Sequence, residues 1–123
     1  MNFLKKIYQF NKSNPSFDDL SNRNILIVGG SSGIGFALAQ LLKENDSNVF
    51  VAARRGSLLE KKFLKENIYQ IDVTNSDEIN YLFEDIEKRQ LCIDTVFWCP
   101  GMYTPMNFKD FNVEEANQIL NTN

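Results

Sequence analysis

The residues best suited to chemistry stand together at Gly29-Gly30-Ser31-Ser32-Gly33-Ile34-Gly35. A continuous apolar run, Ile25-Leu26-Ile27-Val28, leads into this loop, and apolar residues at helical spacing follow it. A strand that turns through glycines into a helix is an anion-binding device: the backbone can approach the ligand, and the helix's free N–H groups and dipole attract negative charge. Three other motifs compete for the same residues. A triphosphate-binding loop needs Lys and then Ser or Thr after its last glycine, but Phe36 and Ala37 follow Gly35. Gly29-x-Ser31-x-Gly33 has the spacing of a hydrolase nucleophile elbow, yet the chain contains no histidine to serve as the base for Ser31. The spacing G-x-G-x-x-G is not met either, because three residues separate Gly29 from Gly33 and one separates Gly33 from Gly35.

Composition removes further classes. Without histidine there is no His-ligated zinc, and no metal site is expected. Thirteen Lys and Arg against sixteen Asp and Glu leave a net charge of −3, with no basic field to neutralise nucleic-acid phosphates. The cysteines, Cys92 and Cys99, match no metal or redox spacing; buried thiols of a reducing compartment are expected, with no disulfide. No run is apolar enough for a signal peptide or a membrane span, so a cytoplasmic protein without a membrane partner is expected.

The loop needs elements to position it. Residues 1–23 read as an N-terminal arm, with Phe3 to Tyr8 as a helix or arm lying on its own domain in preference to a short amphipathic helix at a membrane surface, followed by a Ser-, Asn- and Pro-rich linker. Residues 24–123 read as one domain of alternating strands and helices. Strands are expected at Ile25–Val28, Val49–Ala53, Ile68–Ile71 and Thr95–Trp98. The first helix runs from Gly33 to near Asn45 with Ile34, Ala37, Leu38, Leu41 and Leu42 as its buried stripe. A short helix is expected over Leu58–Glu66, another after an Asn75 cap with Ile79, Leu82, Phe83 and Ile86 inward, and a last one from about Asn112.

Val28-Gly29-Gly30-Ser31-Ser32-Gly33-Ile34-Gly35 resembles the T-G-x-x-x-G-I-G loop of the short-chain dehydrogenases/reductases, with Val28 in place of the threonine, and the resemblance extends from Asn24 to Asn123. It implies a Rossmann-like, doubly wound parallel α/β sheet, here truncated after about four strands. It also implies that Gly29, Ser31, Ser32, Gly33, Ile34 and Gly35 cradle a dinucleotide's phosphates. At the end of the second strand, where an acid would bind the ribose hydroxyl of NAD, stand Arg54 and Arg55. Val51-Ala52-Ala53-Arg54-Arg55 is therefore similar to the form that prefers NADP(H) over NAD(H), with Arg54 as bidentate partner of the 2′-phosphate. Asp72-Val73 is similar to the family's D-V segment, in which the acid accepts from the adenine amino group and the next residue packs on the ring.

Where the family reads N-N-A-G this chain has Trp98-Cys99-Pro100-Gly101. Only Gly101 matches, as part of a turn beside the nicotinamide ribose. Asn123 takes the place of the catalytic asparagine that holds a water in the proton relay. The family's serine and Y-x-x-x-K would lie beyond Asn123; Tyr8-x-x-x-Lys12 has the spacing but precedes the first strand. The expectation is the NADP(H)-binding half of a reductase, inactive alone without a general acid. The alternatives are a non-catalytic NADP-binding sensor module and an inert remnant. Its expected partner is the missing C-terminal half, or a second copy joined through the exposed fourth strand.

Overall fold

The computed structural model describes residues 17–102, 108–110 and 112–123. The helix expected in the arm and the Tyr8-x-x-x-Lys12 motif lie outside the described residues. Strands β1 (Asn24–Val28), β2 (Asn48–Ala53), β3 (Ile68–Gln70) and β4 (Thr95–Trp98) form one parallel sheet in the order β3-β2-β1-β4. Ile25 pairs with Val49 on one side and with Thr95 on the other. β1 and β2 are apolar at successive positions because both faces of the sheet's centre are covered.

Each face has its own core. Ile25, Ile27, Val49 and Val51 pack with Ala39 and Leu42 of helix α1 (Gly33–Glu44) and with Leu59 and Phe63 from the β2–β3 crossover. On the other face Leu26, Val28, Phe50 and Ala52 meet Leu82 and Ile86 of helix α2 (Ser76–Lys88). The expected Asn75 cap forms, its side chain accepting from the N–H groups of Asp77 at 3.0 Å and Glu78 at 3.4 Å. Near β3, Tyr69 donates its hydroxyl hydrogen to Asp85 at 2.7 Å and accepts from Arg89 at 2.8 Å. Helix α3 (Val113–Thr122) begins where the sequence suggested, and Asn112 caps it by accepting from the Glu115 N–H.

Several expectations are corrected. Helix α1 is present, but its buried face is Gly35, Ala39 and Leu42, while Ile34, Ala37 and Leu41 are exposed and Leu38 is half-buried. Small residues let the helix lie close to the sheet, and that rotates the larger apolar residues outward. On α2, Phe83 is likewise exposed. No α-helix forms over Leu58–Glu66; the crossover makes two single 3-10 turns, Gly56–Leu58 and Lys65–Asn67. Leu59 and Phe63, four apart, have helical spacing and are buried, yet a few turns suffice to seat them. Cys92 is exposed and Cys99 half-buried, because Cys92 lies in the connection before β4 and Cys99 just past its end.

The two sheet edges differ. Against β3 the Gly56–Leu58 turn closes in, so that a Cβ on Gly56 would sit 3.2 Å from the side chain of Gln70. Among the described residues β4 has one paired side, and its Val96 and Trp98 are 51% and 57% exposed with no charge or proline in the strand. Among the described residues no helix is long and apolar enough to cross a membrane, and no acid, cysteine or histidine cluster could hold a metal ion.

Candidate functional site

The carboxyl ends of all four strands open into one cleft of about 410 Å³, the place where open parallel sheets bind ligands. Its floor is the loop between β1 and α1. Gly29 takes φ +83°, and a Cβ there would stand 2.5 Å from the Pro100 nitrogen and 2.7 Å from the Cys99 carbonyl carbon. Gly33 has φ +59° with nothing near its Cβ position, so that flank faces open space. A Cβ on Gly35 would run into the Gly29 carbonyl oxygen, which is why the helix can begin hard against the strand end. Ser32 caps α1 with extended backbone and no side-chain cap bond, and the first turn carries no acid. The N–H groups there are left to meet an anion.

One wall is cationic. Arg54 and Arg55 follow β2, both exposed, and the Arg55 Nη2 donates to Ser32 Oγ at 3.2 Å, bridging the wall to the loop. The adjoining wall carries Asp72, whose Oδ1 accepts from the Thr74 N–H at 2.9 Å and from the Thr74 hydroxyl at 2.7 Å. These bonds, with a smaller contribution from the Arg54 charge, hold the Asp72 carboxyl below the usual carboxylate range. The Asp72 N–H donates to Glu78 Oε2 at 2.5 Å, which ties this corner to the cap of α2. Val73 is half-buried against the second core. Opposite stand Cys99, Pro100 and Gly101.

Gly29, Ser31, Ser32, Gly33, Ile34, Gly35, Arg54, Asp72, Val73 and Gly101 are thus brought to one cleft. Asn123 does not line it. Its Oδ1 accepts from the Met102 N–H at 2.7 Å and its Nδ2 donates to the Met102 carbonyl at 3.2 Å, clipping the turn after β4 to the end of α3. Arg55, Cys99, Pro100 and Thr122 also line the cleft. The Arg54-Arg55 pair signalled the first; Thr122 carries no local signal, because only the packing of α3 brings it there. A loop of free N–H groups beside two guanidinium groups is equipped to hold a phosphorylated ligand, and the open flank at Gly33 leaves it room.

A family model for short chain dehydrogenases matches residues 23–123. The chain is 32% identical over 111 residues to the 5-keto-D-gluconate 5-reductase of Escherichia coli K12, covering 85% of this chain and 44% of that protein. A short chain dehydrogenase of Leptospira borgpetersenii, crystallised with bound NAD+, is 26% identical with a TM-score of 0.77, over 86% of this chain and 42% of its own. ElxO with NADP bound is 27% identical with a TM-score of 0.65, over 82% of this chain and 44% of its own. The chain spans less than half the length of the curated relatives it matches. Since the family match takes in every described strand and the whole cleft, this chain belongs to the short-chain dehydrogenases.

Proposed function

We propose that the chain is the cofactor-binding part of an oxidoreductase that uses NADP(H) in preference to NAD(H). The observation that carries this reading is the position of Arg54 and Arg55 on the cleft wall, with Arg55 within hydrogen-bond reach of Ser32 on the phosphate loop. Two cations there favour a 2′-phosphate over a bare hydroxyl. In this reading the N–H groups from Ser31 to Gly35 hold the pyrophosphate, Arg54 grips the 2′-phosphate with Arg55 beside it, and Asp72 and Val73 face the adenine. Gly101 shapes the turn beside the nicotinamide ribose. The bound cofactor supplies hydride exchange with a carbonyl or alcohol.

Asn123 acts in this scheme as a positioning residue, since both ends of its amide are engaged with Met102. The proton donor comes from polypeptide other than residues 1–123, either the remainder of the family fold or another chain docked along β4. Alone, the chain then binds the cofactor without turning it over. Titration with NADPH and NADH tests the reading. NADPH binds tighter, and Arg54→Ala weakens NADPH on the order of 10- to 100-fold while barely moving NADH, as loss of a charge-assisted pair requires. Equal curves for the two cofactors refute the preference.

A further inference from the structure

A second space of about 300 Å³ adjoins the cofactor cleft, between the ends of β2 and β3 and helix α3. Arg54, Asp72 and Thr122 line both spaces, while Thr74, Met102, Gln118 and Asn121 line the second alone. Gln118, Asn121 and Thr122 stand at i, i+3 and i+4 and so share one face of the helix. Thr122 spends its hydroxyl on the Gln118 backbone carbonyl at 2.8 Å. Among the described residues the side-chain amides of Gln118 and Asn121 have no hydrogen-bond partner. Asp72 directs Oδ1 to Thr74 and leaves Oδ2 available as an acceptor.

An unpaired amide beside a carboxylate acceptor complements a planar base edge that offers an amino group next to a ring nitrogen. An Asn or Gln side chain pairs bidentately with the 6-amino group and N7 of adenine and cannot do so with hypoxanthine, whose position 6 is a carbonyl. The geometry points to Gln118 and Asn121 as residues that read the adenine base, with Asp72 Oδ2 taking the second amino hydrogen. Arg54, shared by the two spaces, marks where base and 2′-phosphate meet. This inference rests on the dinucleotide reading above, and adds to it a base-specificity element supplied by α3.

The test is calorimetric titration of the full chain with adenosine 2′,5′-bisphosphate, its inosine counterpart, NADPH and NADH. Wild type prefers the adenosine ligand. Gln118→Ala and Asn121→Ala each weaken it about 5-fold, the double variant on the order of 10-fold or more, as loss of one or two hydrogen bonds predicts. In the double variant the preference for adenosine over inosine shrinks, and the ratio of NADPH to NADH affinity stays as in wild type. Both positions are exposed on a helix, where alanine is a good helix former, so the variants fold. A double variant with wild-type affinity and base preference overturns this inference alone. A shifted NADPH to NADH ratio overturns it too, since the amides would then act on the phosphate wall. A wild-type chain that binds none of the four ligands overturns the dinucleotide reading along with it.

Discussion

Replacing Gly29 by alanine asks how tightly the β1–α1 loop is built against β4. The residue sits at φ +83°, a conformation that costs an L-residue about 1 kcal/mol more than glycine. Its new methyl carbon would also lie 2.5 Å from the Pro100 nitrogen and 2.8 Å from the Cys99 carbonyl oxygen. These are backbone atoms, so no side chain can swing away, and overpacking of this kind costs about 1–3 kcal/mol. The sum, about 2–4 kcal/mol, lowers a urea midpoint by roughly 1–2 M. Gly33→Ala is the control: φ +59° brings a similar strain, but nothing lies within 4 Å of the added carbon, so its cost stays near 1 kcal/mol. Trp98, the chain's sole tryptophan and the residue before Cys99, reports both melts by fluorescence at one fixed protein concentration. Gly33→Ala stays folded yet binds dinucleotide more weakly, since its methyl enters the open flank of the cleft. If Gly29→Ala costs no more than Gly33→Ala, the packing of the loop on the Cys99–Pro100 peptide does not have the importance assigned to it.

Burial, together with the hydrogen bond to Asp85, pushes the Tyr69 hydroxyl up to about 12. Its contribution is therefore complete below the unfolded value of about 10 and is lost as pH rises through 12; Tyr69→Phe costs about 1–2 kcal/mol at neutral pH and removes that alkaline loss, as urea melts from pH 8 to 12 show. Asp72 is shifted the other way, so its contribution is present above the ordinary carboxylate range and disappears as pH falls through its lowered value. Thr74→Ala removes one of the two bonds holding it there; carboxyl titration by NMR then gives a higher Asp72 value, and an unchanged one rejects the assignment. The open β4 edge predicts concentration-dependent self-association in sedimentation, suppressed by Val96→Lys with Trp98→Lys. A wild-type monomer with amides protected along both sides of β4 contradicts this.

The sheet was readable because β1 and β2 are continuous apolar runs, and a strand buried on both faces has little freedom to be anything else. The strand order β3-β2-β1-β4 is the one the resemblance to a doubly wound family implied, since alternation with helices alone does not choose it. Helix α1 was legible in extent but not in phase: counting apolar residues favours Ile34 and Leu41, whereas the sheet selects Gly35 and Ala39 for closeness of approach. The helix expected over Leu58–Glu66 failed for a different reason, since burial of Leu59 and Phe63, four apart, is compatible with short turns as well as with a helix. In the site, glycines and arginines announced themselves through local spacing. The engagement of Asn123 with Met102 and the arrival of Gln118 and Asn121 beside Asp72 depend on how α3 packs, and no local pattern encodes that.

The β2–β3 crossover has a kinetic consequence. It is held by isolated turn bonds such as Leu59 N–H to the Gly56 carbonyl and Phe63 N–H to the Leu59 carbonyl, and by the side chains of Leu59 and Phe63 seated in the core. No continuous ladder of helical bonds must break for it to lift, so it belongs to the low-free-energy end of local opening, well below β1 and β2. Arg54 and Arg55 stand at its root. Amides from Gly56 to Asn67 should exchange with solvent ahead of the rest of the sheet, and a ligand gripping the two arginines should slow that exchange even though it touches none of those amides. Affinity at the cationic wall thus includes the free energy of keeping a loosely fastened segment shut.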